Sequence, residues 1–452
     1  MTDPAEARAF LDAHPQVEAI DIVLHDANGV GRGKIIRRHE LEGLFANGRL
    51  LPISILGLDI CGEDVHETGL IWDKGDGDVR AWPIPGTLVP LHGTNRAEVL
   101  MAVHTLDGAP MGPDPRHALA RQVAAMAAEG LHPAGAFELE FFLLANDRDS
   151  QGRVQPARDV LDGRATKRTE VYSVDHLHGM MPLFDAIYAG AKAAGIKAET
   201  MISEFAPGQY ELTLHYRHDV LRAADDLIRL KRIVRAQARA RGVTACFMAK
   251  PMEDVAGSGM HFHVSLNDAE GRNLFAEDGE GWSDRILHAL GGLKTTMAES
   301  MLVFAPHANS WRRFAAQSYA PVSPTWGVNN RSVALRIPEG AKTSRRIEHR
   351  PAGVDANPYL VAATVLAGIR HGLQHRLDPG AEVTGNGYDT PPDPNMPADW
   401  RDAIRRAETS AFLRTALGEE MHRTFCAIKA AELARVARTI ADVDYDLYLH
   451  TV

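Results

Sequence analysis

The most constraining feature of the sequence is a short stretch, GAFELEFFLL at residues 135–144, in which apolar and acidic side chains alternate. Phe137, Leu139 and Phe141 flank Glu138 and Glu140. Successive side chains of a strand point to opposite faces, so this pattern predicts a strand with one apolar face and two carboxylates on the other. Neighbouring carboxylates repel each other unless positive charge lies between them. The stretch therefore predicts either a solvent-exposed sheet edge or a cation-binding site.

A second acidic segment, SEFAPGQYELTL, contains Glu204 and Glu211. Pro207 and Gly208 lie between them and predict a turn, which lets both carboxylates face one point. The segment thus adds two carboxylates to the same candidate site.

Two later segments add imidazole and guanidinium groups with the spacing of strand residues. His261 and His263 in GSGMHFHVSL are two residues apart, and so are Glu348 and Arg350 in RRIEHRP. Residues two apart share one face of a strand, and the glycines before His261 allow a ligand to approach the backbone. Several oxygen ligands with one imidazole favour Mg²⁺ or Mn²⁺ over zinc or copper.

An unusual density of arginine follows in the segment 312–350. The arginines are Arg312, Arg313, Arg331, Arg336, Arg345, Arg346 and Arg350. Guanidinium groups suit forked contacts with phosphate and carboxylate, and together with a divalent cation they neutralise a phosphoryl group in transfer. Trp311, Phe314, Tyr319 and Trp326 lie among them, so a single-strand nucleic-acid surface is an alternative interpretation.

Composition argues against that alternative. The 452 residues include 49 basic and 59 acidic ones, so the net charge is −10, and only 6% are aromatic. An acidic chain is poorly suited to binding a phosphate backbone, so we expect no nucleic-acid partner. The three cysteines form no CxxC pair. That usage fits a reducing compartment, and no stretch is apolar for the roughly 20 residues that span a bilayer, so we expect a cytoplasmic protein without membrane contact.

Turn and helix signals divide the chain into two predicted parts. A hairpin is expected at Asn28 and Gly29, within a small β-rich domain that begins the chain. Asp114 and Pro115 precede an amphipathic helix at residues 116–128, and helical periodicity returns between residues 398 and 443. We place the domain boundary near residues 106–114, which gives domains at 1–110 and 111–452.

Six motifs occur in one order along the chain. They are FELEFF, SEFAPGQYE, GSGMHFHVSL, NSWRRF, NRSVALRIP and RRIEHRPAGVDANPYL. This series resembles the motif series of the glutamine synthetase family, and the resemblance extends over nearly the whole chain. It implies an α+β fold with an N-terminal β-grasp domain and a large catalytic domain, in which helices surround an antiparallel sheet that lines the active site. It also implies a homo-oligomer, usually a dodecamer of two hexameric rings, with active sites between subunits.

The resemblance assigns candidate ligands and contacts by motif position. One metal ion would be held by Glu140, Glu204 and Glu211, and a second by Glu138, His261 and Glu348. The predicted cofactors are ATP and Mg²⁺ or Mn²⁺, with two or three metal ions per site. Contacts to glutamate and to the phosphorylated intermediate are expected from Gly257, Arg313, Arg331 and Arg350, and contacts to ATP from His263, Arg331, Arg336 and Arg346.

Two departures from the family pattern point to the second substrate. Members that use ammonia carry a flap glutamate where alignment places Tyr319, and an asparagine where this chain has Ala256. A phenol with a pKa of about 10 is a poor base at neutral pH. Its aromatic ring, however, attracts an alkylammonium group. Both changes resemble the γ-glutamylpolyamine and γ-glutamylalkylamide synthetases, which join an organic amine to glutamate.

The base that takes the amine proton is left open between two aspartates. Asp175 follows Tyr172, which lies near the amine-site tyrosine of the family, and Asp59 aligns with an aspartate that the neighbouring subunit supplies. Tyr319, Asp59, Asp175 and Arg313 are the predicted catalytic residues.

The sequence thus predicts an ATP-dependent ligase that joins glutamate to a polyamine such as putrescine through γ-glutamyl phosphate. A short monoamine or ammonia is the alternative second substrate. A catalytically silent ring protein is the alternative from another class.

Overall fold

The fold was examined in a computed structural model that describes residues 2–276, 281–315 and 317–452. Its N-terminal domain is a six-stranded sheet with the path β2-β1-β6-β4-β3, and β5 pairs with β6. The strands are β1 (Ala19–His25), β2 (Gly31–Arg37), β3 (Arg49–Pro52), β4 (Asp78–Pro83), β5 (Val89–Pro90) and β6 (Arg96–His104). Two helices, α1 (Pro4–Ala13) and α2 (Leu41–Asn47), accompany this sheet.

The predicted hairpin is confirmed. β1 and β2 pair antiparallel from Ala19 opposite Arg37 to His25 opposite Gly31, and Gly29 in the turn has a φ of 72°. β1 also pairs with β6 in parallel, and its seven side chains are all buried. β1 lies inside the sheet and is covered on both faces, which accounts for the burial of all its side chains, including Asp21 and His25.

The second sheet has eight strands in the order β12-β13-β14-β11-β7-β9-β8, and β10 pairs with β7. The strands are β7 (His132–Ala145), β8 (Ala198–Ser203), β9 (Gln209–Leu214), β10 (Val243–Cys246), β11 (Phe262–Asn267), β12 (Trp326–Val328), β13 (Leu335–Ile337) and β14 (Ile347–His349). β12 and β13 are parallel, and the other pairs are antiparallel. The sheet is therefore mixed, with its antiparallel part around β7.

Nine further helices among the described residues surround this sheet. They are α3 (Pro115–Ala128), α4 (Val174–Ala193), α5 (Val220–Arg239), α6 (Asp284–Phe304), α7 (Pro358–His375), α8 (Trp400–Thr409), α9 (Ala411–Leu417), α10 (Glu419–Arg438) and α11 (Asp442–Tyr448). α3 confirms the helix predicted after Asp114, whose side chain caps it by accepting from the Arg116 amide. The C-terminal helical run is four helices rather than one.

The predicted fold class is confirmed, since a β-rich N-terminal domain precedes a larger α+β domain built on a mixed sheet. The chain passes between them from the end of β6 at His104 to the start of α3 at Pro115. Among the helices described, none has the length and apolar character needed to cross a bilayer.

Candidate active site

β7 is the strand on which the site is built. Phe137, Leu139 and Phe141 are buried in the core of the catalytic domain, while Glu138 and Glu140 point to the other, partly open face. β9 pairs with β7 so that Glu211 lies directly opposite Glu140. The alternation seen in the sequence therefore places the glutamates inside a cleft rather than at a solvated edge.

The first cluster joins β7, β11 and β14. His261, immediately before β11, places its Nδ1 2.7 Å from Glu138 Oε2 and 3.6 Å from Glu348 Oε1. One ligand atom from each of Glu138, His261 and Glu348 lies within 4.8 Å of the others. These are the three residues that the sequence assigned to one metal ion.

Two arginines compensate the charge of Glu348, which is almost fully buried. Arg336 donates from Nη1 to Glu348 Oε2 at 2.7 Å, and Arg350 donates to Glu348 Oε1. Burial opposes ionisation, but the charges of His263 and Arg350 lower the pKa of Glu348 to about 2. Glu348 is therefore ionised at neutral pH, which is the protonation state that a metal ligand requires.

The second cluster is more acidic. Glu140, Glu211 and His261 bring ligand atoms within 4.8 Å of one another, whereas Glu204 is outside this group. Glu204 follows β8 at the predicted turn, and its amide donates to the Gln209 carbonyl at 2.9 Å. The structure thus brings together two of the three residues assigned to this metal ion and places Glu204 beside them.

Electrostatics identify the second cluster as a place that needs added positive charge. Burial, followed by the charge of Glu140, raises the pKa of Glu204 to about 7. Burial and the charges of Glu138 and Glu140 raise the pKa of Glu211 far above its ordinary value. Carboxylates with such raised pKa values ionise readily only when a cation is bound, so the donor set fits Mg²⁺ or Mn²⁺.

Gly259, one of the glycines before His261, and Gln209, which the sequence did not single out, shape this cluster. The Gly259 amide donates to Glu140 Oε2 at 2.7 Å, and a Cβ at Gly259 would lie only 2.7 Å from Arg313 Nη2. Gln209 Nε2 donates to the Gly257 carbonyl at 3.0 Å and lies 3.4 Å from Glu140 Oε2. Gln209 was detectable, because it is two residues before Glu211 and so shares its strand face.

Arg313 is buried behind the cluster. It donates to the carbonyls of Pro351 at 2.9 Å and Arg350 at 3.3 Å, and the Gly257 backbone packs against its side chain. The structure therefore brings together Gly257, Arg313 and Arg350. Arg331 is exposed on the turn between β12 and β13. Its charge lowers the pKa of Glu204 and so partly offsets the rise caused by burial and by Glu140.

A cavity of about 910 Å³ adjoins the first cluster. His263 lies in its wall, with Nε2 2.8 Å from Glu138 Oε1, and Arg346 donates from Nε to His263 Nδ1 at 3.1 Å. Tyr216 and Asn273 also line the cavity. Its volume is within the range that holds a cofactor-sized ligand, and it opens beside the predicted phosphate-binding residues.

The flap, residues 314–320, carries Tyr319 at the other side of the clusters; position 316 is outside the described residues. Tyr319 is half-exposed, and its ring centroid is 5.5 Å from that of Phe205. Tyr172 is exposed just before α4, and its amide donates to the Ser203 carbonyl at 2.9 Å. Asp175 is exposed in the first turn of α4.

Asp59 has different surroundings. It is buried in the N-terminal domain, where Oδ1 accepts from the amides of Cys61 and Glu63 and Oδ2 lies 2.9 Å from Arg435 on α10. Within one chain it therefore belongs to a contact between the N-terminal domain and α10, apart from the glutamate clusters.

Comparison with known proteins decides the family. The model for the glutamine synthetase catalytic domain matches residues 112–448. The chain belongs to the glutamine synthetase family. It is a glutamate–amine ligase that forms a carbon–nitrogen bond and binds glutamate and ATP.

Two similar members of the family are named for organic amines. The chain is 38% identical to the gamma-glutamylputrescine synthetase PuuA of Escherichia coli K12, over 98% of this chain and 94% of that protein. It is 30% identical to a glutamate–isopropylamine ligase of a Pseudomonas species, over 99% and 98%. A solved GmaS/ADP complex superposes with a TM-score of 0.86 at 28% identity, covering 99% of this chain and 100% of the other.

Proposed function

We propose that the chain joins putrescine or another polyamine to the γ-carboxylate of glutamate, with ATP as the phosphoryl donor. The observation that carries this proposal is Tyr319 on the flap, whose ring contacts that of Phe205, the residue after Glu204. A phenol there offers an apolar wall and cation–π attraction to an alkylammonium, and it cannot act as the carboxylate base that ammonia-using members have. The similarity to a putrescine-using relative supports the same choice.

The two glutamate clusters would hold two divalent cations. Glu138, His261 and Glu348 would bind one, and Glu140, Glu211 and the adjacent Glu204 would bind the other. Bound there, the cations would neutralise charge on the phosphates of ATP. His263, Arg331, Arg336 and Arg346 would contact those phosphates, with the rest of the nucleotide in the cavity of about 910 Å³.

Glutamate would bind on the other side of the clusters, against Gly257, Arg313 and Arg350. A γ-carboxylate oxygen attacks the γ-phosphorus of ATP, and ADP leaves. The amine nitrogen then attacks the acyl carbon of γ-glutamyl phosphate, and phosphate leaves with the former carboxylate oxygen. The arginines stabilise the negative charge that develops in both steps, and the flap excludes water that would hydrolyse the intermediate.

The amine must lose a proton before or during its attack. Asp175 in the first turn of α4 is one candidate base, and Asp59 of a neighbouring subunit is the other. The second choice requires the ring assembly that we propose, a dodecamer of two hexameric rings with each site between two subunits.

A panel of amines tests the proposal. Phosphate release is measured with ATP, Mg²⁺ and glutamate against ammonium, methylamine, isopropylamine, ethanolamine, putrescine and spermidine, and mass spectrometry identifies each product. We expect a di- or polyamine to exceed the others at least tenfold in kcat/KM, which corresponds to about 1.4 kcal/mol. Preference for ammonium would make the chain a glutamine synthetase and overturn the proposal. Absence of phosphate release with every amine would indicate a silent ring protein.

A further inference from the structure

We propose that Phe205 and Tyr319 together form an aromatic gate that selects amines by the length of their carbon chain. This inference rests on the proposed use of an organic amine and names the residue pair that would recognise its methylene groups. Phe205 is the residue to which this inference gives a new role, because neither its position in the sequence nor the assignment of metal ligands gives it one.

The two rings meet although 114 residues separate them in the chain. Phe205 lies between β8 and β9 and Tyr319 lies on the flap, with ring centroids 5.5 Å apart and an interplanar angle of 31°. Phe205 is 45% exposed and Tyr319 50% exposed, so each ring packs against the other and still presents a free surface. Two large half-exposed rings in contact form an apolar surface next to an otherwise strongly charged site.

Contacts from other segments hold the backbone at both rings. The Phe205 carbonyl accepts from Thr169 Oγ1 at 2.8 Å, and the Tyr319 carbonyl lies 3.5 Å from Arg350 Nη2. Tyr319 also has a φ of 57°, an unusual value for a bulky residue that persists only where the surroundings impose it. The main chain on both sides of the ring contact is therefore tied to other parts of the site.

The gate lies where the amine would approach the acyl carbon. The Phe205 amide donates to Glu204 Oε2 at 3.2 Å, and Arg350 contacts both Tyr319 and Glu348. The rings thus lie between the second glutamate cluster and the arginines that would hold the acyl phosphate. An amine that attacks the acyl carbon would extend its methylene chain across the rings, where apolar contact and cation–π attraction favour it. Methylamine has no chain to make those contacts.

Variants at Phe205 test this inference. We measure kcat/KM for methylamine and for diamines with three, four and five carbons in the wild-type protein, Phe205→Ala and Phe205→Leu. The preference of the wild type for its best amine over methylamine should fall about tenfold in Phe205→Ala and less in Phe205→Leu, while the KM values for ATP and glutamate stay unchanged. Leu106→Ala, at an exposed apolar residue between the domains, is the matched control and should keep the wild-type preference.

The outcomes separate this inference from the proposed function. If the wild type converts organic amines and Phe205→Ala keeps the full chain-length preference, the gate is wrong and the proposed function stands. An equal loss with every amine, or a change in the KM for ATP, would assign Phe205 a merely structural role and also overturn the gate. If the wild type converts no organic amine, the proposed function is wrong, and the gate that rests on it is overturned as well. Phe205→Leu keeps the test valid if Phe205→Ala does not fold.

Discussion

At the scale of single residues, Glu211 carries the greatest electrostatic conflict in the site. It is opposite Glu140 on the neighbouring strand, and the charges of Glu138, Glu140, Glu204 and Glu348 together with burial raise its pKa. Such a group destabilises the ionised, metal-free protein and becomes favourable only with a bound cation. Function and stability therefore make opposite demands on this residue.

The variant Glu211→Gln tests the effect of this residue on turnover and on stability separately. We expect turnover to fall more than about 100-fold, beyond the effect typical of residues that only support a metal ligand. The melting temperature of the metal-free protein should not fall, because glutamine replaces a carboxyl group that this site keeps protonated against its ordinary pKa. Glu42→Gln, at an exposed ion pair with Arg8, is the control and should change neither quantity. Near-normal turnover in Glu211→Gln would refute the assignment of the second cluster.

Glu204 predicts a pH dependence of metal binding. Its pKa rises from 4.5 in the unfolded chain to about 7 in the folded one. A raised folded pKa gives stability that is complete below the unfolded value and is lost as the pH rises through about 7. Mg²⁺ must displace the proton of Glu204 in order to bind. The rise in melting temperature on adding Mg²⁺ should therefore be larger at pH 8 than at pH 6. An equal increase at both pH values would contradict the cluster as a metal site.

At the scale of elements, the flap depends on an anchor from a distant loop. Tyr388, in a short turn of 3₁₀ helix after α7, donates from its hydroxyl to the Ala320 carbonyl at 3.0 Å. That bond holds the C-terminal end of the flap one residue after Tyr319. A flap held at its base can close over the intermediate without drifting away from the site.

Tyr388→Phe keeps the ring and removes this hydrogen bond together with the contact of the hydroxyl to Ser318, which is also on the flap. A net contribution of about 0.5–1.5 kcal/mol corresponds to a roughly two- to tenfold fall in kcat/KM. Water should also reach the intermediate more often, so phosphate release should exceed amide formation in the variant. Quantifying both products in one reaction measures this ratio. Tyr445→Phe on α11 is the control, and an unchanged ratio in Tyr388→Phe would show that the anchor does not govern the flap.

Individual elements show how far the sequence predicts the structure. The alternation around Glu138, the hairpin at Asn28 and the start of α3 were predictable because each depends on a local pattern of side chains or a turn. The contact between Phe205 and Tyr319 was not, since two irregular loops create it and no periodicity marks either. The sequence also gave no indication that Asp59 pairs with Arg435, because a buried ion pair between distant elements leaves no local pattern.

At the scale of the whole molecule, a buried charge cluster joins the two domains. Glu98 on β6 is fully buried and accepts from Arg229 Nε at 2.9 Å and Arg232 Nε at 2.7 Å, both on α5. α5 packs against β7, so this contact connects the N-terminal sheet to the strand that carries Glu138 and Glu140. The position of the N-terminal domain is thereby fixed relative to the site.

Glu98→Ala should destabilise the whole protein. The substitution leaves the buried guanidinium of Arg229 without a counterion and leaves Arg232 only its 3.5 Å contact with Asp21. Breaking a buried ion pair in this way typically costs about 3–5 kcal/mol. The urea midpoint of unfolding should fall accordingly, and raising the Mg²⁺ concentration should not restore it, because the damage lies between the domains. A midpoint within error of the Glu42→Gln control would show that the domains do not depend on this cluster.

The central claim is that the γ-carboxylate of glutamate is activated by phosphorylation and then transferred to an organic amine. Glutamate labelled with ¹⁸O in the γ-carboxylate, incubated with ATP, Mg²⁺ and putrescine, tests both halves in one reaction. The account predicts one labelled oxygen in phosphate for each γ-glutamylputrescine formed. Amide formation with unlabelled phosphate would contradict the acyl-phosphate route, and labelled phosphate without amide would contradict the transfer to putrescine.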